Sequence, residues 1–474
     1  MSQIKKTKIV ATLGPACSDK ATIKKMMLAG VNVFRINFSH ADYPDVEERV
    51  KIIRELIKET GIYVAILADL QGPKLRVGVM EEAHLKDGDT FTFTTEKCVG
   101  DNKRAFMTYQ NFPQDVKAGE HILVDDGKLL FEVLESDKKA NVKTKVIRGG
   151  ELKSKKGVNL PNTNISQPAL TEKDIPDAIF AIGLEVDWIA LSFVRTGNDL
   201  KMLHDLIKEH SDYKIPVIAK IEKPEAVKNI DSLIPYCDGL MVARGDLGVE
   251  IPMNEVPLVQ KSLVLRAKRA RIPVIIATQM MESMIENLVP TRAEVNDVAN
   301  SIMDGADAVM LSGETSVGID PANVIQHMTN IIESVEDSSL IEVPRTPPHI
   351  KTNRYISKTV CYHAASMADD INATAISTLT NSGYTAFQVS AWRPKAHILA
   401  FTSNKRILTM LNLLWGVKPF YYSNLVTTDK TIKEINEIAR ENNLLKADDY
   451  VINLTSMPVK EKGMVNTLRL TQLK

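Results

Sequence analysis

The amino-acid sequence predicts an α/β fold: a (β/α)8 TIM barrel, an all-β lid domain inserted after its third strand, and a C-terminal open α/β domain. Three observations predict it. Eight short apolar runs lie in the first 312 residues, most of them separated by helical patterns. The stretch between the third and fourth runs has another texture, of short alternating segments. A Pro-rich segment after Ser339 is followed by a fresh alternation of strand and helix patterns.

The eight runs are Lys8–Leu13, Val33–Asn37, Val64–Asp69, Trp188–Ser192, Val217–Glu222, Gly239–Ala243, Val274–Thr278 and Ala308–Ser312. The clearest three, Val217–Glu222, Leu240–Asp246 and Val274–Gln279, begin apolar on both faces, as a buried parallel strand should. Val46–Thr60 is a helical pattern, with Val46, Val50, Ile53, Leu56 and Ile57 at helical spacing. Val256–Arg269 is another, and a third opens at Thr291, where Glu294 has capping-box spacing. Strand and helix alternating through eight runs argue for a closed barrel.

The insert reads as short strands, Thr90–Thr94, His121–Val124, Leu129–Val133 and Ala140–Val146, punctuated by Asp87-Gly88, Asp126-Gly127 and Gly149-Gly150. Those dipeptides are hairpin signals. Its entry is Gln71-Gly72-Pro73 and its exit Val158-Asn159-Leu160-Pro161. Both ends leave from the barrel mouth, so the insert is placed to act as a lid. Val343–Pro348 reads as a linker. Beyond it come helical patterns at Ile356–Ala368, after Gly383, at Lys405–Leu414 and at Thr431–Glu441. They alternate with strand patterns at Thr374–Leu379, Ile398–Thr402, Val417–Tyr422, and near Val451 and Leu468. The domain boundaries predicted are 1–71 with 162–340 for the barrel, 72–161 for a β-barrel lid, and 341–474 for a separate open α/β domain. Three domains suit 474 residues at roughly 150 each.

Composition narrows the function classes. With 44% hydrophobic and 25% charged residues, the chain reads as soluble and globular. Lys+Arg and Asp+Glu both number 59, so no basic excess points to nucleic acid or a membrane surface. The four cysteines, Cys17, Cys98, Cys237 and Cys361, stand far apart, which argues against a disulfide framework or zinc site and for a reducing cytoplasm. The apolar stretch after the basic start is too short for a signal peptide, and no run is long enough to span a bilayer.

Polar residues gather where the apolar runs end. In a barrel the C-terminal ends of the strands form the active-site mouth, so converging Lys, Glu, Asp and Thr there read as catalytic. Glu222 and Asp246 close consecutive strands, which sets two carboxylates side by side. Such a pair suits Mg²⁺, a hard cation that keeps an incomplete protein shell; the alternative is that each acid pairs with a nearby Arg or Lys. Lys220 lies two residues before Glu222, on the same strand face. A buried ammonium there either stabilises charge on a moving phosphoryl group or enolate, or forms a Schiff base. The adjacent acids favour the first.

Gly245 and Gly248 flank Asp246 and its neighbour, so backbone N–H groups there are open to an anion. Thr278 aims a hydroxyl into the same space. Arg35, Asn37 and Ser39 share one face. Arg35 suits bidentate phosphate contact. Asn37, Ser39 and Asp69 either offer oxygens to a hard cation or brace the rim. Ser312 and Glu314, after the eighth run, either relay a proton or brace neighbours. In the C-terminal domain, Thr380, Ser382, Gly383 and Thr385 lie between a strand and a helix. They make either a phosphate cradle or an ordinary N-cap.

Eight segments together resemble the pyruvate kinase family. They are Phe34–His40, Asp69–Arg76, Lys156–Pro161, Lys220–Glu222, Met241–Gly248, Ala277–Met280, Pro290–Glu294 and Leu311–Thr315, in the family's order and spread along the whole chain. The resemblance implies phosphoryl transfer from phosphoenolpyruvate to ADP, giving ATP and pyruvate in glycolysis. It implies Mg²⁺ or Mn²⁺ on Glu222 and Asp246, with Lys220 and Arg35 stabilising the phosphoryl group. It implies Gly245, Asp246 and Thr278 at the substrate carboxylate, and Ser312 and Glu314 near the proton path. His40, Arg76 and Lys156 match family positions near the nucleotide. A homotetramer and a sugar-phosphate effector at the Thr380–Thr385 loop are further implications.

Two departures from the family pattern matter. Many members carry Thr and Glu where this chain has Leu70 and Lys74, and those residues accompany a bound monovalent cation. Here the monovalent-cation region, Asn37, Ser39, Asp69, Leu70 and Lys74, contains an ammonium of its own, and Val77 is apolar where such members often carry a hydroxyl. The expectation is activity without added K⁺. The loop Ser456–Gly463 lacks the Trp-Arg-Pro of relatives activated by fructose 1,6-bisphosphate, so the effector loop would take another sugar phosphate or none. Two rival readings are a lyase of the same barrel type acting on a pyruvate enolate, and a non-catalytic metabolite sensor.

Overall fold

The computed structural model describes residues 5–338, 347–348, 354–424, 427–457 and 464–474. Most of the predicted linker, and most of the loop between Ser456 and Gly463, lie outside these residues.

Eight parallel strands close into one barrel: Lys8–Thr12, Val33–Asn37, Ala65–Asp69, Trp188–Leu191, Val217–Ile221, Gly239–Ala243, Val274–Ala277 and Ala308–Leu311. We number them first to eighth. They pair in sequence around the ring, and the first closes on the eighth through Lys8↔Ala308 and Ala11↔Leu311. Side chains alternate inward and outward along each strand. Val10, Val33, Leu67, Trp188, Ile218, Met241, Ile275 and Met310 fill the interior. Ile9, Phe34, Ile66, Ile189, Ala219, Val242, Ile276 and Val309 pack outward under the helices. The helix signals worked as the spacing required. Thr291 Oγ1 accepts from the Glu294 N–H, and the Glu294 carboxylate accepts from the Thr291 N–H at 2.7 Å.

The insert departs after the third strand. Its main sheet runs in the order Val158–Asn159, His121–Val124, Leu129–Ser136, Asn141–Arg148, Thr90–Thr94, Arg104–Phe106, and a second sheet pairs Gly150–Leu152 with Ala83–Leu85. The expected β-barrel closes only through single bridges, Arg76↔Gly157 and Val77↔Met107. The edge strands have two and three residues, too few for a full ladder. Phe91, Phe93, Phe112 and Phe131 form its core.

The C-terminal domain is a five-stranded sheet, ordered Val417–Tyr421, His397–Thr402, Ala375–Leu379, Tyr450–Thr455, Thr467–Gln472, with only the last strand antiparallel. It docks on the end of the barrel opposite the mouth. Asp187 and Asp307, just before the fourth and eighth strands, take a hydrogen bond from Thr409 and an ion pair from Arg393 at 2.9 Å. Trp188 Nε1 donates to the Met410 carbonyl at 3.1 Å. All four cysteines are unpaired. No helix of the described residues is long and apolar enough to cross a membrane.

Candidate active site

Period-two alternation makes the top layer of the barrel interior polar. One step above Val33, Leu67 and Ile218 come Arg35, Asp69 and Lys220. Asp69 is the hub. Its Oδ2 accepts from Arg35 Nε at 2.6 Å, and its Oδ1 lies 3.2 Å from Lys220 Nζ. Arg35 also donates to Thr12 Oγ1 at 3.0 Å. The Lys220 ammonium donates to Ser192 Oγ at 2.7 Å and stands 3.0 Å from Glu222 Oε1.

Burial and charge compete at each of these groups. Burial alone would push the Asp69 carboxyl up, but Lys220 and Arg35 outweigh it and hold it below the ordinary range. Burial alone would lower Lys220, but Asp69 and Glu222 outweigh it and hold the ammonium charged. Burial dominates at Glu222, and with Asp246 nearby it pushes that carboxyl up against the pull of Lys220.

Glu222 follows the fifth strand directly. Its Oε2 accepts from the Phe193 N–H at 2.7 Å, and Oε1 is buried with no directed hydrogen bond. Asp246 is not at a strand end as expected. It is the third residue of a short helix, Arg244–Glu250, that starts where the sixth strand stops. The glycines flanking it are therefore inside a helical turn rather than an open loop. Asp246 is partly exposed, and Lys74 Nζ lies 4.0 Å from its Oδ1.

The Gly245 N–H donates to Thr278 Oγ1 at 2.8 Å, so the two predicted carboxylate binders are adjacent. Thr278 and Gln279 both have left-handed backbone, with φ of 70° and 54°. A β-branched residue seldom adopts that conformation. The Arg244 guanidinium holds it, donating to the Thr278 carbonyl at 2.7 Å while paired with Asp297 at 2.7 Å. Glu314 is buried and spans two loops: it accepts from the Ser312 N–H at 2.7 Å and the Met281 N–H at 3.1 Å. Burial pushes its carboxyl up.

A cleft lies between mouth and insert, walled by Lys74, Asp126, Asn159, Lys223, Asp246 and Glu250 among others. The predicted nucleotide residues do not line it. His40 is exposed, Arg76 donates to the Lys155 carbonyl at 2.9 Å, and Lys156 pairs with Asp125 at 2.8 Å. Asn37 Oδ1 accepts from the Ser39 N–H at 3.2 Å, and Leu70 is buried. Thr380–Thr385 lies in the C-terminal domain. There the Gly383 N–H donates to Thr380 Oγ1 at 2.9 Å, Gly383 takes φ of 81°, and no side chain caps the helix Tyr384–Ala391. Ser382 is exposed and Thr385 buried.

Sequence reasoning missed Thr12, Ser192, Lys223 and Glu250. Ser192 ends the fourth apolar run, a signal that was available. Lys223 and Glu250 carried none beyond following Glu222 and Asp246 closely.

Among the described residues no group of three or more His, Cys, Asp or Glu is arranged around a metal position. A metal would rest on two carboxylates, with substrate and water filling its shell, as Mg²⁺ accepts. The undirected, buried Glu222 Oε1 and the half-open Asp246 fit such an ion.

Residues 4–325 match the family described as pyruvate kinase, barrel domain, and residues 358–471 match its alpha/beta domain. The chain belongs to the pyruvate kinase family. It is 42% identical to a pyruvate kinase of Corynebacterium efficiens over 470 residues, 98% of this chain and 97% of that one. It is 40% identical to a pyruvate kinase of Mycobacterium tuberculosis over 471 residues, 98% of each. A crystal structure of a pyruvate kinase from Cryptosporidium parvum superposes with a TM-score of 0.92 at 32% identity, covering 99% of this chain and 96% of that one. The chain is thus a phosphotransferase, and the lyase and sensor readings fall away.

Proposed function

We propose that the chain transfers the phosphoryl group of phosphoenolpyruvate to ADP, giving ATP and pyruvate. The observation that carries this reading is the pair of buried cations, Lys220 and Arg35, held at the mouth by one carboxylate, Asp69. A loose phosphoryl transition state needs position and positive charge more than a protein nucleophile. Lys220 and Arg35 face the transferring group. The backbone around Gly245 and Asp246, with Thr278, holds the substrate carboxylate. Glu314 acts as a brace that fixes Ser312 near the carbon to be protonated. His40, Arg76 and Lys156 serve the nucleotide, with the insert closing over it as a lid.

Glu222 and Asp246 would hold Mg²⁺ or Mn²⁺, which would supply Lewis-acid charge to the transferring phosphoryl group. K⁺ is not required: the Lys74 ammonium stands beside Asp246, and Asn37 and Asp69 are already engaged within the protein. The Thr380–Thr385 loop takes the phosphate of a sugar-phosphate effector, a reading supported by the uncapped helix start at Gly383. Exposed apolar residues such as Met253, Leu258, Leu288, Val289 and Ile319 suit burial in a homotetramer. We place the enzyme in the cytoplasm.

Incubating the protein with phosphoenolpyruvate, ADP and Mg²⁺ tests the reading. ATP and pyruvate should appear in equal amounts; pyruvate without ATP would sink it. Repeating the assay with a panel of sugar phosphates tests the effector loop.

A further inference from the structure

The insert joins the barrel by two legs that pair with each other. The Val77 N–H donates to the Lys156 carbonyl at 3.0 Å, and the Val158 N–H to the Leu75 carbonyl at 2.9 Å. Each leg is pinned to the barrel by one carboxylate. On the outgoing leg the Gly72 N–H donates to Asp174 Oδ1 at 3.1 Å. On the returning leg Asn159 Nδ2 donates to Glu250 Oε1 at 2.9 Å.

The second pin bears on the chemistry. Asn159 belongs to the insert, pairing with Leu123 in its main sheet. Glu250 ends the helix that carries Asp246, four residues on and so on the same face. The same Oε1 receives Lys223 Nζ at 2.8 Å, and Lys223 directly follows Glu222. The Glu250 side chain is 1% exposed, and its Oε2 has no hydrogen-bond partner. One buried carboxylate therefore ties the insert to both segments that bear the predicted metal ligands. Asn159, Lys223, Glu250 and Asp246 wall the same cleft. The outgoing pin has no such link, since Asp174 is held by Thr171.

We propose that Glu250 is a positioning residue for phosphoryl transfer, setting the angle of the insert over the mouth by holding Asn159 while locked to Lys223. Lid closure and the geometry of Glu222 and Asp246 are thereby coupled through one side chain. The inference rests on the phosphoryl-transfer reading and on the insert serving as lid.

Asn159→Ala removes only the insert arm and keeps the Lys223–Glu250 pair. Glu250→Gln keeps the shape and removes the charge. Losing a charge-assisted hydrogen bond should raise the KM for ADP about tenfold in each variant. In Asn159→Ala the KM for phosphoenolpyruvate should stay near the unaltered value, because the barrel that holds that substrate keeps its Lys223–Glu250 pair. Amide exchange over residues 156–160 should quicken, and the Tm of Asn159→Ala should hold. The double variant should be no worse than Glu250→Gln, as expected for residues acting as one unit. A wild-type KM for ADP in Asn159→Ala would overturn the proposal even if Glu250→Gln fails to fold. If the unaltered chain makes no ATP, the phosphoryl-transfer reading fails instead, and unchanged exchange at the legs in Asn159→Ala would separately overturn the pin.

Discussion

Lys220 and Asp69 form a buried ion pair, 3.2 Å from ammonium to Oδ1, that reaches past the fourth strand to join the fifth strand to the third. Ser192, at the end of the intervening fourth strand, completes the bridge by accepting from the same ammonium. With Arg35 and Glu222 the cluster holds two cations and two acids, all at most 11% exposed. The four charges of the cluster balance one another, and Asp246 adds the further carboxylate that would meet a divalent ion.

Lys220→Ala should lower kcat by roughly 10³-fold, the scale of losing a preorganised charge at a transition state. It should also lower stability by about 3–5 kcal/mol, because Asp69 and Glu222 would be left buried without their shared cation. Steady-state kinetics and urea melts measure the two effects separately. A Lys220→Ala protein with full turnover would remove the assigned role.

Removing divalent metal with a chelator should abolish ATP formation, and Mg²⁺ should restore it. Glu222→Gln should raise the Mg²⁺ concentration needed for half-maximal rate by at least roughly tenfold, since even residues one step removed from a metal have effects of that size. An unchanged Mg²⁺ titration would show that the ion binds elsewhere.

Turnover in tetramethylammonium buffer should match turnover in K⁺. Lys74→Glu should convert the enzyme to one that K⁺ stimulates, because the substitution removes the ammonium beside Asp246 and adds a carboxylate. Strong stimulation of the unaltered enzyme by K⁺ would end this reading of Lys74.

Asp187 gives a pH dependence of stability. Burial at the joint between barrel and C-terminal domain holds its carboxyl up at about 7. In the unfolded chain its pKa is about 4. The unfolded state loses its proton first, so this group's contribution falls as pH rises from about 4 to about 7, and its full cost applies above that. Asp187→Asn should flatten the change in Tm between those limits. The new amide still has an oxygen to accept from the Ile66 N–H, which Asp187 now holds at 2.7 Å. An unaltered Tm slope would show that Asp187 does not titrate in this range.

The candidate site was legible where its signal is local. Arg35 and Lys220 each stand one step above an apolar inward residue, Val33 and Ile218, so a charge there announces an interior ion. Asp246 was legible as an acid but not as a helical residue, because two nearby glycines look like a loop until the sixth strand fixes the start of the next helix. Asp69 was read as an oxygen for a cation. It proved to be the hub of Arg35 and Lys220, since only barrel closure shows that the third and fifth strands lean together. Glu250 gave no signal, because its importance comes from Asn159, which is distant in sequence.

Strand alternation is set by backbone geometry that each segment carries in itself. The chain alone therefore determined the eight strands, the inserted β segment, and which charges point into the interior. Charge pairing depends on distances across the ring, which no segment carries. Only the closed barrel decided that Asp69 neutralises Lys220, that Lys74 reaches Asp246, and that the returning leg of the insert ends on Glu250.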